Sequence, residues 1–465
     1  MIAKKTRAAF LLGCSAAIAA TASSPAAAQE IERAEPADEA QQDSTAPDTD
    51  SQTEPADETM AASDDGGGTD ILSRNTVRVL FDARLVAANG ERSWTDRGLG
   101  KTRFDGTSDG DYELYAVPVE AAIIWTPRLT RSLSANVSAG WQRDQDNEFD
   151  VMEAFVNFLP PQTGPIGVHL RAGLMWPEIS LEHSTGGAWS VVDTITPSAI
   201  NSWVGEEVKV LGLEGTVRTD LGQHTFALTG GVFGFNDTSG TLLSFRGWAL
   251  HDEKATAFGY FELPPFNEFI SHLQEDRTRS LLEIDDRPGF YGRLDWRPPA
   301  PFGAALFYYD NRGDPEAFTP AGQWGWRTRF WNLGVNADIG SNTRLLAQGM
   351  TGSTIMGFPQ NDRRWVHTKF RSAFVLVSHR LDDKWNVAGR IEAFRTREIG
   401  SQMSPMESER GWSWTAAVKY LVNDHVTVKA EALNVRSRRG VRATHLGIDP
   451  FQAQTVFQIA LGVAL

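Results

Sequence analysis

From about residue 74 onward, apolar and polar positions alternate with a period of two. Between residues 76 and 86, Val77, Val79, Phe81, Ala83 and Leu85 are apolar, while the positions between them include Arg78, Asp82 and Arg84. A strand sends successive side chains to opposite faces, so this segment predicts one oily face and one charged face. The last residues repeat the pattern, with Thr455, Phe457, Ile459, Leu461, Val463 and Leu465 set against Gln458, Ala460, Gly462 and Ala464. Similar alternation marks 115–125, 133–141, 166–176, 290–296, 331–339, 385–393, 412–420 and 426–432. Each segment is roughly ten residues long, the length of a tilted strand crossing a bilayer.

The connections fall into two classes. Short turns lie at 126–131, 159–165, 219–223, 297–301, 340–343, 381–384 and 422–425, and longer polar loops at 87–112, 143–149, 177–205, 236–287, 312–326, 353–366, 398–410 and 438–452. Strict alternation of seven turns and eight loops gives fifteen connections and sixteen strands, with both termini on the short-turn side. An even number is what a closed antiparallel membrane barrel requires. The stretch 241–250 has some strand character, but a seventeenth strand would break the parity, so 236–287 is expected to be one external loop with local structure. Loop 177–205 is too long for a plain hairpin, and folded inward it would narrow a pore. Trp125, Trp296, Trp385 and Tyr420 flank short turns, as amphipathic rings do at a membrane interface. A soluble sandwich would not repeat aromatic rings at its edge in this way. The expected fold is all-β: a closed antiparallel transmembrane β-barrel of about 16 strands over residues 71–465, with long external loops and short periplasmic turns.

Composition adds what precedes the barrel. Lys4, Lys5 and Arg7 stand before an Ala/Leu-rich run ending in Ala26, Ala27 and Ala28, which predicts a secretory signal over 1–28. Cys14 admits a lipoprotein alternative; cleavage after Ala28 would remove the chain's one cysteine and with it any disulfide or thiol chemistry. Residues 29–70 carry 1 basic and 14 acidic side chains, a net of −13 within a total of −15, and contain no aromatic residue. Such a segment cannot offset its backbone entropy by burial, so an acidic disordered leader is expected, serving as a spacer or as a tether to a basic partner. The remainder lacks the basic face of a nucleic-acid binder.

The polar strand face carries Arg78, Arg84, Arg171, Arg218, Arg293, Arg390, Lys419 and Lys429, together with Asp82, Glu120, Glu153, Glu214, Asp295, Glu392 and Glu431. A cation at mid-depth in lipid costs about 2–4 kcal/mol, so these are expected to line the channel. Arg293 and Asp295, Arg390 and Glu392, and Lys429 and Glu431 repeat a basic-x-acidic step that places each pair on one face, within pairing reach. The two readings are a lumen that selects solutes by charge and a hydrated, salt-bridged wall without strong preference. Glu178, Glu182 and Asp193 would set the width of a constriction formed by loop 177–205. On this reading, replacing Arg171 or Arg390 by Glu shifts ion preference toward cations with little effect on stability.

The runs MEAFVNFLPPQTGPIGVHLRAGLMWPEISLEH (152–183), TITPSAINSWVGEEV (194–208), RGWALHD (246–252) and YYDNRGDP (308–315) resemble alphaproteobacterial members of the phosphate-selective porin O and P superfamily. The resemblance covers most of 74–465 and implies a sixteen-stranded, homotrimeric outer-membrane channel for passive diffusion of small hydrophilic, anionic solutes, with outer-membrane lipid as its surroundings. No cofactor or metal is implied. The nine His form no H-E-x-x-H pair, and no G-x-S-x-G elbow occurs. A closed structural barrel with an occluded lumen, and a barrel phospholipase with lipid-facing Ser and His, are the alternatives.

Overall fold

The computed structural model describes residues 69–147, 149–403 and 405–465; the expected signal and all but the end of the acidic leader lie outside them. The barrel strands are β1 (Val77–Ala88), β2 (Glu113–Trp125), β3 (Leu133–Gln142), β4 (Asp150–Phe158), β5 (Ile166–Met175), β6 (Val210–Leu221), β7 (His224–Gly234) and β8 (Gly289–Arg297). They continue with β9 (Phe302–Asp310), β10 (Arg327–Ile339), β11 (Thr343–Gln360), β12 (Arg363–Arg380), β13 (Trp385–Glu398), β14 (Glu409–Asn423), β15 (Val426–Arg439) and β16 (Phe451–Ala464). Each pairs antiparallel with its chain neighbours, and β1 closes on β16, with Ala83 opposite Leu461. Closure leaves no strand edge unpaired, a condition for spanning a membrane with strands.

The period-two pattern sets the faces. On β12, Phe370, Ser372, Phe374, Leu376 and Ser378 are buried inward, while Ala373, Val375 and Val377 between them are exposed outward. The same outward set includes Val79, Phe81 and Leu85 on β1 and Phe457, Ile459 and Leu461 on β16. An apolar band this continuous around a barrel is a lipid-facing surface. Trp385 and Tyr420 sit opposite each other at its short-turn edge, with ring centres 4.5 Å apart. No helix among the described residues is long and apolar enough to cross a membrane.

The connections follow the expected alternation with one correction. Residues 353–366 are not a loop. β11 and β12 each run 18 residues and meet in a tight turn at Asn361 and Asp362, whose φ values of 49° and 65° suit a two-residue hairpin turn. The segment reads as a loop because an irregularity between Met356 and Pro359, with Gly357 at φ +87°, and the polar tip 360–364 interrupt the period of two. Loop 235–288 has local structure without joining the barrel: α2 (Thr241–Phe245), α3 (Glu268–Ser271) and a ribbon pairing Phe261–Glu262 with Arg277–Thr278. Loop 176–209 contains α1 (Ala199–Glu207), all nine of whose residues are buried.

The inside of the barrel is packed. Trp203 of α1 lies 5.3 Å from the rings of both Phe330 and Phe370 on the wall, and 6.1 Å from Trp248 of loop 235–288. Nearer the long-loop end, Leu242, Phe245, Trp324, Trp326, Met356 and Val366 form a second buried cluster.

Candidate functional site: the filled lumen

Loop 176–209 leaves the wall between β5 and β6 and reaches β13, eight strands away around a ring of sixteen, so it crosses the lumen. Its anchor is the start of α1. Ser198 is extended (φ −63°, ψ 161°), and its side chain caps the helix by accepting from the Asn201 N–H. Glu182 accepts from the Ser198 N–H at 3.0 Å, the Ser198 hydroxyl at 2.5 Å and the Asn201 amide at 2.6 Å. From the opposite wall, Arg390 donates to Glu182 (2.8 Å), the Thr196 and Pro197 carbonyls (2.8 and 3.0 Å), Thr415 Oγ1 (3.1 Å) and Glu392 (3.2 Å). Glu392 accepts from the Ala199 N–H at 2.7 Å and from Ser413 at 2.8 Å, placing a carboxylate at the positive end of the helix.

The rest of the crossing is tied in the same way. Glu431 accepts from the Ile195 and Thr196 N–H groups at 2.6 and 3.0 Å; Lys429 donates to the Val191 and Thr194 carbonyls at 2.8 and 2.9 Å. Asp193 accepts from Ser378 at 2.9 Å, and Lys419 lies 3.5 Å from the Val192 carbonyl. On the near wall Arg171 pairs with Glu214 (2.7 Å) and Glu178 (3.3 Å), while Arg293 pairs with Asp295 (2.6 Å) and donates to the Glu178 carbonyl.

Two further segments fill the long-loop half. Arg246 grips Glu206 of α1 through two 2.6 Å bonds, and Lys101 from loop 89–112 pairs with Glu409 at 2.5 Å. Arg84 bridges Asp82 (2.9 Å) and Asp252 (2.5 Å), Arg103 pairs with Asp144 at 2.5 Å, and Lys254 pairs with Glu120 at 2.8 Å. Arg439 reaches Glu407 at 2.9 Å and the Ser244 and Phe245 carbonyls at 3.0 Å; Arg442 pairs with Glu91 at 2.5 Å. Lys209 donates to the Ala255 carbonyl and stands over the Trp176 ring at 4.0 Å.

Burial separates two neighbouring carboxyls of α1. For Glu206 the upward push of burial is outweighed by Arg246, with His251 2.9 Å away, and the carboxyl is held at about 2. For Glu207 burial dominates and raises the carboxyl to about 7, although it accepts from the Trp203 indole and the Gly240 and Leu242 N–H groups. Burial also lowers His251, against the upward pull of Glu206 beside it. Glu253 is pushed up to about 8 by the same desolvation.

The structure therefore places the expected channel-lining residues in three groups. Arg84, Arg171, Arg390, Glu153, Glu214, Glu392 and Glu431 are buried against inserted loops; Asp82, Glu120, Arg293, Asp295, Lys419 and Lys429 are half-buried; Arg78 and Arg218 are exposed near the short-turn end. Glu182 is buried, whereas Glu178 and Asp193 are half-exposed. Two of the three basic-x-acidic steps pair directly, but Lys429 and Glu431 turn to the backbone of 191–196 instead. The expectation that Arg171 or Arg390 tolerates Glu does not hold, because both side chains are at most 2 % exposed and already face carboxylates. Arg246, Lys101, Glu206, Glu409, Arg439 and Arg442 are anchors that the sequence does not reveal, since their partners are far apart in sequence. The dense charges of 246–254 (RGWALHDEK), set in a long loop, are the one local signal.

No metal was expected. Among the described residues, Asp237, Glu283 and Asp285 bring carboxylate oxygens within 4.8 Å of one another. Asp237 accepts from the Ile284 N–H at 2.6 Å and Glu283 from the Phe235 N–H at 2.7 Å, so the group fastens the loop base.

Residues 285–465 match the model of the family described as beta-barrel porin-2, OmpL-like. This is under half of the chain, and it is not the phosphate-selective family that the sequence runs resemble. No curated protein matches the sequence. Among solved structures, the outer membrane channel DcaP of Acinetobacter baumannii is similar at a TM-score of 0.50 and 8% identity, covering 86% of this chain and 100% of its own. The anion-selective porin from Comamonas acidovorans gives 0.46 and 11% identity over 84% and 99% of the two chains. The trimer form of OmpT, an outer membrane protein of Vibrio cholerae, gives 0.47 and 9% over 84% and 99%. The likeness to DcaP shows a shared barrel fold.

Proposed function

We propose that this chain is an outer-membrane channel for passive diffusion of small hydrophilic solutes, with loop 176–209 as its constriction. One observation carries the reading: the segment crossing the lumen is a loop tied to the far wall by polar side-chain-to-backbone contacts, centred on Arg390 and Glu431, within a barrel whose inner face is charged. Polar ties of this kind hold a constriction in place while leaving a hydratable wall. At the short-turn mouth, the inward strand positions hold Arg78, Arg218, Arg297, Arg344, Arg380 and Lys419 against Asp220 and Asp338, an excess of cations. That excess supports anion preference as the finer reading; a homotrimer is the assembly proposed with it.

The complete burial of α1 favours a second reading, a structural barrel that does not conduct. Planar-bilayer recording under a salt gradient decides between them. Single-channel steps with a reversal potential on the anion side support the channel and its preference. Silence from a barrel whose heat-shifted gel migration proves it folded assigns the chain to the structural class.

A further inference from the structure

The outer surface carries a charge pattern that the lumen does not explain. Arg371 of β12 lies opposite Arg395 of β13, Arg395 opposite Arg410 of β14, and Arg410 opposite Arg438 of β15. These four arginines form a straight row across four adjacent strands, and all are exposed on the outward face. With strands about 4.8 Å apart, the row spans about 14 Å. One step nearer the long-loop rim, Arg329, Ser353, Lys369 and Arg397 form a second aligned row, with all three cations exposed. Among the described residues none of these seven cations is in an ion pair, unlike the arginines inside the barrel. Directly opposed like charges destabilise a sheet. A row of them therefore calls for an anion from outside.

Its height identifies the anion. Below the four arginines lie Ala373, Ala393 and Trp412, and then Val375, Ile391 and Trp414, all outward. Arg436 packs 5.4 Å from the Trp412 ring at this boundary. Ten residues along β13 separate Arg395 from Trp385 at the short-turn edge of the band. That is about 33 Å along the strand, or about 25 Å along the normal for a tilt of about 40°, which matches the apolar band of an outer-membrane barrel. The row therefore stands at the headgroup layer on the long-loop side, which is the cell exterior in such barrels. Beside it opens a cleft of about 1020 Å³ whose lining includes Arg329, Arg363, Arg364, Arg395 and Arg397. The cleft's Glu398 is already committed to the His367 N–H and the Thr368 hydroxyl, and Arg364 pairs with Glu316; exposed Asp362 lies at the hairpin tip.

We propose that this double row is a binding site for a phosphorylated glycolipid of the outer leaflet. Its phosphates would sit on Arg371, Arg395 and Arg410, its sugars in the cleft and its acyl chains against Ile391, Trp412 and Trp414. Guanidinium groups bind phosphate through paired hydrogen bonds, and several at one depth suit a headgroup bearing more than one phosphate. A free phosphate would gain nothing from the aromatic and aliphatic surface directly below. The inference rests on the outer-membrane reading of the barrel.

The test is retention of lipid by the purified, folded full chain, read by native mass spectrometry after incubation with diphosphorylated lipid A in detergent. The R371Q/R395Q/R410Q triple variant should retain it about tenfold or more weakly than wild type. The matching triple Lys variant should recover most of the loss, and R395Q alone should show an intermediate effect should the triple variant fold poorly. Lipid A stripped of its phosphates should bind wild type no better than intact lipid A binds the Gln variant. Equal retention by wild type and the folded Gln variants would overturn the site. Displacement by millimolar inorganic phosphate would make it a free-anion site and overturn the lipid assignment. Loss of the oligomer with lipid retention unchanged would give the rows to a second copy of the chain and overturn it as well. Bilayer silence with retention intact would sink the channel reading and leave this one standing.

Discussion

Removing the Arg390 side chain should release the constriction while leaving the barrel closed. Arg390 is fully buried and is the point at which β13 holds loop 176–209, donating to Glu182, Glu392, Thr415 and the carbonyls of Thr196 and Pro197. Arg390→Ala leaves two buried carboxylates facing a void, and breaking one partner from a buried pair costs about 3–5 kcal/mol. Glu182 keeps its bonds from Ser198 and Asn201, and Glu392 keeps those from Ala199 and Ser413, which places the expectation at the lower end. The wall is held by main-chain ladders on both sides of β13, so the loss falls on docking of the loop. At about 3 kcal/mol the docked state weakens by roughly a hundredfold. Protease cleavage within 184–192 of the folded barrel should accelerate by up to that factor, and single-channel conductance should rise or become noisy. Wild-type cleavage rates together with wild-type conductance would refute the claim that Arg390 holds the loop.

Other perturbations test the remaining parts of the lumen. Glu207 has a folded value near 7, above that of an unfolded carboxyl, so its contribution to loop docking is full below about 4.5 and declines as pH rises through 7; Glu207→Gln should flatten that slope in pH-dependent proteolysis. Glu206 runs the other way: its stabilisation is present above about 4.5 and is lost as pH falls toward 2, a limb that Glu206→Gln should abolish in the same assay. Gly240 has φ +107°, and an added Cβ would stand 2.1 Å from Thr354 Oγ1, so Gly240→Ala should destabilise docking of α2 by about 1–3 kcal/mol, seen as a lower midpoint for exposure of Trp248. Lys419 has one long contact to the loop, so Lys419→Glu should move the reversal potential toward cations with an unchanged melting temperature; an unmoved potential would remove Lys419 from the conduit.

The wall was legible in the sequence because lipid on one side and polar groups on the other impose a strict period of two, and the tight turns fix the strand number. Thus β1 and β16 could be read residue by residue from Val77, Phe81, Phe457 and Ile459. The reading failed at 353–366, where the irregularity between Met356 and Pro359 and the polar tip interrupt the period. It also failed to say what the inward charges do. A period of two gives the face of Arg390 or Glu431, but their partners lie 208 and 236 residues away in loops without any period. Fixing those partners requires the register of the whole barrel and the path of the inserted segments.

Arginines inside and outside this barrel obey one rule with opposite outcomes. Inside, each buried guanidinium has to meet a carboxylate or carbonyl, because an unpaired charge there costs several kcal/mol. Arg84, Arg171, Arg246, Arg390 and Arg442 all do so. Outside, Arg371, Arg395, Arg410 and Arg438 stand in line, and among the described residues none of them meets a carboxylate in an ion pair. They sit at the one depth where the surroundings can supply anions in place of the protein. Charge pairing within the chain thus fixes the position of the loops, and unpaired charge marks where the chain meets its membrane.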